Sequence, residues 1–173
     1  MKNVVRITSG SLKGRVIITP GGKTHPMGDR ERLALFNMIT NEVINAVVLD
    51  AYAGSGALGI EALSRGAKSV VFVESDSNAT RTIRENLKAL GVDGNAVAAK
   101  IPNYEPEELF DVVLADPPYN NFNLKEIEQL GKYVNKGGIL VLSHPGEAPE
   151  IPGVLLRKSH KYANATISIY DII

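Results

Sequence analysis

The sequence predicts an α/β fold of the Rossmann-like kind, with a mainly parallel sheet, helices on both faces and a β-hairpin arm in front. Three observations carry this. Short apolar runs alternate with segments of helical periodicity, the pattern of βαβ units. Three of those runs end in a carboxylate, at Asp50, Glu74 and Asp116. A glycine-rich stretch, Gly54, Gly56 and Gly59, follows the first of them and opens a helix. In such sheets ligands sit beyond the carboxyl ends of the strands, near the point where strand order reverses.

Taken in order, Val4–Thr8 and Arg15–Ile18 read as two short strands punctuated by Gly10 and Gly14, with a turn at Pro20-Gly21-Gly22. Asp29 is placed to cap a helix carrying Leu33, Leu35, Phe36 and Ile39. A buried strand over 46–49 leads to Asp50, and a helix near 57–65 closes at Gly66. A second strand over 69–73 leads to Glu74. The helix after it carries Ala79, Ile83, Leu87 and Leu90 at helical spacing. A weaker strand covers 96–99, and a strong one runs from Phe110 to Ala115. A helix near 123–134 should stop at Gly137-Gly138, before a strand over 139–142. Val154–Arg157 and Ala165–Tyr170 close the chain as an antiparallel pair. We read residues 1–173 as one domain, with an arm and helix over 1–40 and a catalytic core over 41–173.

The bulk composition excludes several classes. With 44% hydrophobic and 22% charged residues, the chain is an ordinary globular one. It has no cysteine, hence no disulfide framework and no thiolate metal site. His25 and His160 lack metal-ligand spacing, so no metal is expected, and His144 reads as a structural or surface histidine rather than a general base. No apolar run has signal-peptide or membrane-spanning character, and a cytoplasmic, membrane-free protein is the expectation. Net charge is zero overall, but residues 1–32 hold seven basic side chains against two acidic ones, a net +5. Such an arm can serve as a phosphate footprint, or it can be a solvated hairpin.

The segment Asp50-Ala51-Tyr52-Ala53-Gly54-Ser55-Gly56 reads as a cofactor loop. Its glycines let the backbone turn sharply and approach a ligand. Glu74, followed by Ser75, can accept hydrogen bonds from both hydroxyls of a ribose. Glycines and Glu74 alone fit a dinucleotide or S-adenosylmethionine. Asp50 tilts the choice to S-adenosylmethionine, because a carboxylate suits a cationic amino group and repels a pyrophosphate.

Asp116-Pro117-Pro118-Tyr119 is the sharpest signal. The lone pair of an exocyclic base amine is delocalised into the ring, which makes the nitrogen a poor nucleophile. Two acceptors on its N–H groups can turn that lone pair outward. The Asp116 carboxylate is one acceptor and the Pro117 carbonyl the second. The prolines fix the chain and carry no N–H. Tyr119 offers a face on which a base can stack. Asp116 also counts among the residues lining the cofactor site.

At this point the chain resembles the RsmD-type 16S rRNA guanine-N2 methyltransferases. Arg6-Ile7, Gly10, Lys13-Gly14-Arg15 and Pro20 are similar to that family's amino-terminal hairpin. Pro26, Asp29-Arg30, Arg32 and Leu35-Phe36-Asn37 are similar to its first helix. Asp50–Gly59 resembles its cofactor loop and Asp116–Tyr119 its catalytic motif. The resemblance implies a class I methyltransferase fold with seven strands, one of them antiparallel in the last hairpin. It implies methyl transfer from S-adenosylmethionine to a guanine N2 in 16S rRNA, free or in an assembling small subunit. It also implies an arm that holds RNA, for which we take Arg6, Lys13, Arg15, Arg30 and Arg32, and a monomer is expected. The chain departs from the family at His25-Pro26-Met27, at Ser143-His144, at Tyr162-Ala163-Asn164 and at Lys100–Asn103, where Asn103 stands in as the adenine contact. Alternatives are an adenine-N6 or cytosine-N4 methyltransferase, a dehydrogenase, and a non-catalytic ribosome-assembly module.

Overall fold

The computed structural model describes residues 3–21 and 26–173. The proposed turn glycine Gly22 and His25 lie outside the described residues, as do Lys2 and Lys23 of the basic arm. Two strands, β1 (Val4–Arg6) and β2 (Val16–Ile18), pair antiparallel as a separate ribbon. The helices are α1 (Asp29–Met38), α2 (Thr40–Val43), α3 (Ala57–Ser64), α4 (Ser77–Leu90) and α5 (Leu124–Gly131). The main sheet holds β3 (Val47–Ala51), β4 (Ser69–Glu74), β5 (Asn95–Ala98), β6 (Phe110–Ala115), β7 (Val134–His144), β8 (Val154–Lys161) and β9 (Thr166–Ile172). Their order is β5-β4-β3-β6-β7-β9-β8, and only β9 runs against the rest. The expected seven-stranded, mainly parallel sheet is what forms.

The chain leaves β3 outward through β4 and β5, then returns to β6 on the other side of β3. That reversal opens a crevice at the carboxyl ends of β3 and β6, where Asp50 lies opposite Leu114 and Ala51 opposite Ala115. Strands buried on both faces read as continuous apolar runs, and Val48, Leu49, Val112, Val113 and Leu114 are all 0% exposed. One apolar cluster on one face joins Val48, Ile60, Phe72 and Ile83 to Val5, Ile7, Leu12 and Ile17 of the arm, so the hairpin is packed against the core. The other face buries Leu49, Val113, Ile127, Leu140 and Tyr170.

Two glycines are required by close approach. A Cβ on Gly59 would lie 2.3 Å from the Phe72 ring, which lets α3 lie down on β4. At Gly10, with φ +85°, a Cβ would lie 1.9 Å from the Ser64 carbonyl oxygen, where the hairpin docks on the end of α3.

Three local expectations are corrected. Asp29 does not cap α1: the cap position is Gly28, and the Asp29 carboxylate accepts from Arg32 instead (2.9 Å). The helix expected to reach Gly137-Gly138 ends at Gly131, because Val134 pairs with Phe110 and draws the following residues into β7. Sheet pairing outweighs helical propensity in that stretch. Thr40–Val43 adds a short helix that the periodicity did not disclose.

Candidate active site

A cavity of about 1000 Å³ opens at the switch point. Its walls come from the β3 glycine loop, the ends of β4 and β6, the residues after β5, the first turn of α1 and the β8–β9 turn. Asp50, Glu74 and Asp116, the three strand-end carboxylates, all line it.

Asp50 is 1% exposed, and its Oδ2 accepts from the Gly59 N–H at 2.8 Å. Burial drives its pKa well above the usual carboxylate range, and the charges of Asp116 and Glu74 push the same way. Glu74 reaches across to the loop: Oε2 accepts from the Gly54 N–H at 2.8 Å, and Oε1 from the Asp76 N–H at 2.9 Å. The carboxylate expected to meet a ribose therefore braces the glycine loop in this structure. Tyr52 holds a left-handed backbone, φ 58°, which a side chain rarely adopts. Its hydroxyl donates to Glu126 on α5 at 2.7 Å, tying the strained loop to a second element.

Asp116 follows β6 directly. Burial raises its carboxyl pKa from 3.8 to about 6, and the Ser143 hydroxyl partly opposes the shift. After it, Pro118 offers its carbonyl to Asn121 N–H in a short turn, which leaves the Pro117 carbonyl outside that turn's hydrogen bonding. The Tyr119 hydroxyl bonds to Ser143 on β7, holding the ring at the cavity wall.

Of the residues expected at the cofactor loop, Tyr52, Ala53, Gly54 and Ser55 line the cavity, as does Ser75. Ala51 does not: it is 0% exposed in the apolar cluster on the far side of β3. Gly56 faces the core, where a Cβ would meet Ile83 and Ile60. Asn103 is exposed, and the short helical turn after β5 presents Lys100, Ile101 and Pro102 to the cavity instead.

The arm residues separate into distinct roles. Arg32, expected on RNA, is 0% exposed. Its guanidinium donates to Glu61 (3.2 Å), to Asp29 (2.9 Å) and to the carbonyls of Met27 (2.9 Å) and Arg6 (2.7 Å). It clamps arm, helix and core together and is out of reach of a substrate. Arg6 is exposed and holds the Gly14 carbonyl at 2.9 Å. Arg15 donates to the Ala89 carbonyl in the last turn of α4, where a cation meets the negative helix end. Lys13 and Arg30 are exposed. The hairpin tip docks on Ser64, at the opposite end of α3 from the glycine loop. His144 is wholly buried, its Nε2 bonded to Ser168 at 2.7 Å, and burial lowers its pKa. It is a neutral structural histidine.

The motif reading missed Glu31, Glu126, Ser143, Tyr162 and Asn164, which line the cavity from distant parts of the chain. Counted with Asp50, Glu74 and Asp116, five carboxylates and one lysine, Lys100, surround the space among the described residues. That donor set fits a cationic nucleoside and disfavours a pyrophosphate. Among the described residues no cluster of three or more His, Cys, Asp or Glu is arranged to hold a metal ion, and no helix is long and apolar enough to cross a membrane.

Residues 5–171 match the family described as Conserved hypothetical protein 95. The chain is 33% identical to YlbH of Bacillus subtilis over 180 residues, covering 96% of this chain and 98% of that one. It is 37% identical over 135 residues to the ribosomal RNA small subunit methyltransferase D of Haemophilus influenzae, covering 72% and 68%. The solved structure of the Escherichia coli protein yhhF superimposes with a TM-score of 0.88 at 27% identity, covering 97% of each chain. The chain therefore belongs to the RsmD-type family of small-subunit rRNA methyltransferases.

Proposed function

We propose that this protein methylates the exocyclic N2 amine of a guanine in 16S rRNA, with S-adenosylmethionine as donor. One observation carries the reading. The Asp116 carboxylate and the Pro117 segment stand at the end of β6, beside the glycine loop of β3, on a shared cavity dominated by acidic groups.

In this reading Asp50 faces the amino group of the bound cofactor, Glu74 its ribose, and Gly54 and Ser55 offer backbone along it. Ala99 to Pro102 form the wall for its purine. The cofactor supplies an electrophilic methyl on a sulfonium. Asp116 and the Pro117 carbonyl accept from the two amine N–H groups and aim the nitrogen lone pair at that methyl. Tyr119, steadied by Ser143, stacks on the base. The work of these residues is positioning and charge compensation in a water-poor site.

The reading is tested by mass mapping of methylated guanosines in rRNA from cells with and without the gene, beside calorimetry of the purified chain. The expected results are one missing N2-methylguanosine in the small subunit, binding of S-adenosylhomocysteine, and negligible binding of NAD. Unchanged rRNA modification, or a preference for NAD, overturns the assignment.

Glu74 supplies a narrower test. Glu74→Ala should weaken S-adenosylhomocysteine by about 1–3 kcal/mol, the usual cost of losing charged hydrogen bonds. Glu74→Gln, which keeps acceptor capacity for Gly54, should lose less. Calorimetry on both variants decides, and equal affinity for the wild type and Glu74→Ala contradicts the ribose role.

A further inference from the structure

The acidic cavity creates a problem for an RNA substrate, because five carboxylates repel the phosphates on either side of the target nucleotide. Cations close to the mouth are needed, and among the described residues of the arm no lysine or arginine lines the cavity. The hairpin tip with Lys13 and Arg15 docks at the far end of α3 and α4, and Arg32 is buried. The last hairpin, in contrast, brings its turn to the cavity. Tyr162, Asn164, Ala165 and Ile167 all line it, and the Tyr162 N–H closes the turn on the Ala165 carbonyl at 2.7 Å.

The register of this hairpin sorts its side chains. Lys158 lies opposite Ile169 and His160 opposite Ile167, whereas Ser159 lies opposite Ser168, to which it is bonded (Oγ to Oγ, 2.9 Å). Directly opposed residues share a face, and alternate residues of one strand do too. Lys158 and His160 therefore stand on the face of Ile167, which reaches the cavity. Tyr162 continues the row, its ring 4.6 Å from that of His160. Arg157, just before them in sequence, is spent on Asp171 and Glu42, at 2.6 and 2.5 Å. Lys158 and His160 are exposed and make no ion pair among the described residues. Burial raises the pKa of Tyr162, and the charge of Glu31 on the cavity wall adds to the shift.

We propose that Lys158, His160 and Tyr162 form a track for single-stranded RNA that holds the nucleotides next to the target base. Lys158 and His160 contact phosphate, and Tyr162 stacks on a neighbouring base at the entrance. The row is about 13 Å long at strand spacing. Cations interleaved with aromatic rings are what unpaired RNA uses, through backbone charge and base stacking. This inference rests on the rRNA reading above and extends it to a surface outside the arm.

The test uses the full chain with 16S rRNA purified from a strain lacking the gene, and with small subunits from the same strain. Lys158→Ala/His160→Ala should bind the RNA several-fold more weakly near 0.1 M salt and lower the salt slope by about one unit. Tyr162→Ala should raise the KM for RNA about tenfold or more, and Tyr162→Phe, which keeps the stacking face, should restore it. S-adenosylhomocysteine affinity should be unchanged in the double variant, which separates RNA contact from misfolding. An unaltered salt slope and KM in variants of a chain whose wild type methylates the RNA overturns the track alone. Losses seen with assembled subunits but not with free RNA assign the surface to a ribosomal protein, and overturn it too. A wild-type chain that neither binds nor methylates rRNA overturns the function reading along with it.

Discussion

Asp116→Ala should lower methyl transfer by roughly two to three powers of ten and leave cofactor affinity nearly intact, because the carboxylate acts on the nucleophile and not on the donor. Asp116→Asn keeps an acceptor oxygen but loses the charge that offsets charge developing on the amine, so intermediate activity is expected. The pH dependence separates the two forms. Burial holds the Asp116 carboxyl at a pKa of about 6, so the acceptor is half protonated there and methyl transfer should rise as pH passes upward through that value. The Asn variant should lack this limb. Stability should move the opposite way. A carboxyl whose folded pKa lies above its unfolded value binds protons more tightly when folded, so it destabilises the fold above pH 6 and is relieved as pH falls from 6 toward 4. Asp116→Asn should therefore be more stable than wild type at pH 8, by roughly 2–3 kcal/mol. Single-turnover transfer of labelled methyl, a cofactor titration and urea melts at both pH values measure all of this. Wild-type turnover by Asp116→Ala rules out the mechanism, and loss of cofactor binding moves Asp116 to the donor site.

The largest stability effect is expected at Arg32 and Glu61. Both side chains are 0% exposed, and Glu61 also accepts from the Thr8 N–H (3.1 Å), the Thr8 hydroxyl (2.5 Å), the Ser9 N–H (3.1 Å) and Arg65 (3.1 Å). Removing Arg32 leaves the buried Glu61 carboxylate with one of its two guanidinium donors and frees the Met27 and Arg6 carbonyls. Breaking a buried pair from one side costs about 3–5 kcal/mol. For a chain of this size that is roughly 10 °C in Tm. Arg32→Lys should recover little, since an ammonium cannot span four acceptors set around a planar fork. The clamp also carries Met27 to the cavity wall, so Arg32→Ala should increase proteolysis of the arm and raise the KM for RNA. Differential scanning calorimetry and limited proteolysis test this. A Tm within 2 °C of wild type would show that the network is not what holds the arm.

Arg32 also marks the boundary of what residues alone can say. In the sequence it is one of seven basic side chains in a +5 segment, indistinguishable from Lys13 or Arg30. Its partner Glu61 is 29 positions away on another helix, and burial is decided only when α1 is laid on α3. Asn103 and Gly56 mislead for a related reason: proximity to a motif does not say which way a turn points a side chain. The helix overshoot from Gly131 toward Gly137 has the same origin, because the pairing of Val134 with Phe110 is a long-range contact.

The sequence by itself determined the α/β class, the places of the parallel strands, and the three carboxylates at strand ends. Those features are local: hydrophobic period, turn chemistry and a residue directly after an apolar run. It also determined the Asp116–Tyr119 signal, since two prolines after a buried strand leave few conformations. The tertiary structure alone decided that five carboxylates among the described residues share one cavity, that Lys13, Arg15 and Arg32 of the arm lie away from it, and that the last hairpin reaches its mouth. Each of these depends on where α1, α5 and the β8–β9 turn come to rest around β3 and β6, and distances between remote segments are set by packing and sheet order, which no local pattern encodes.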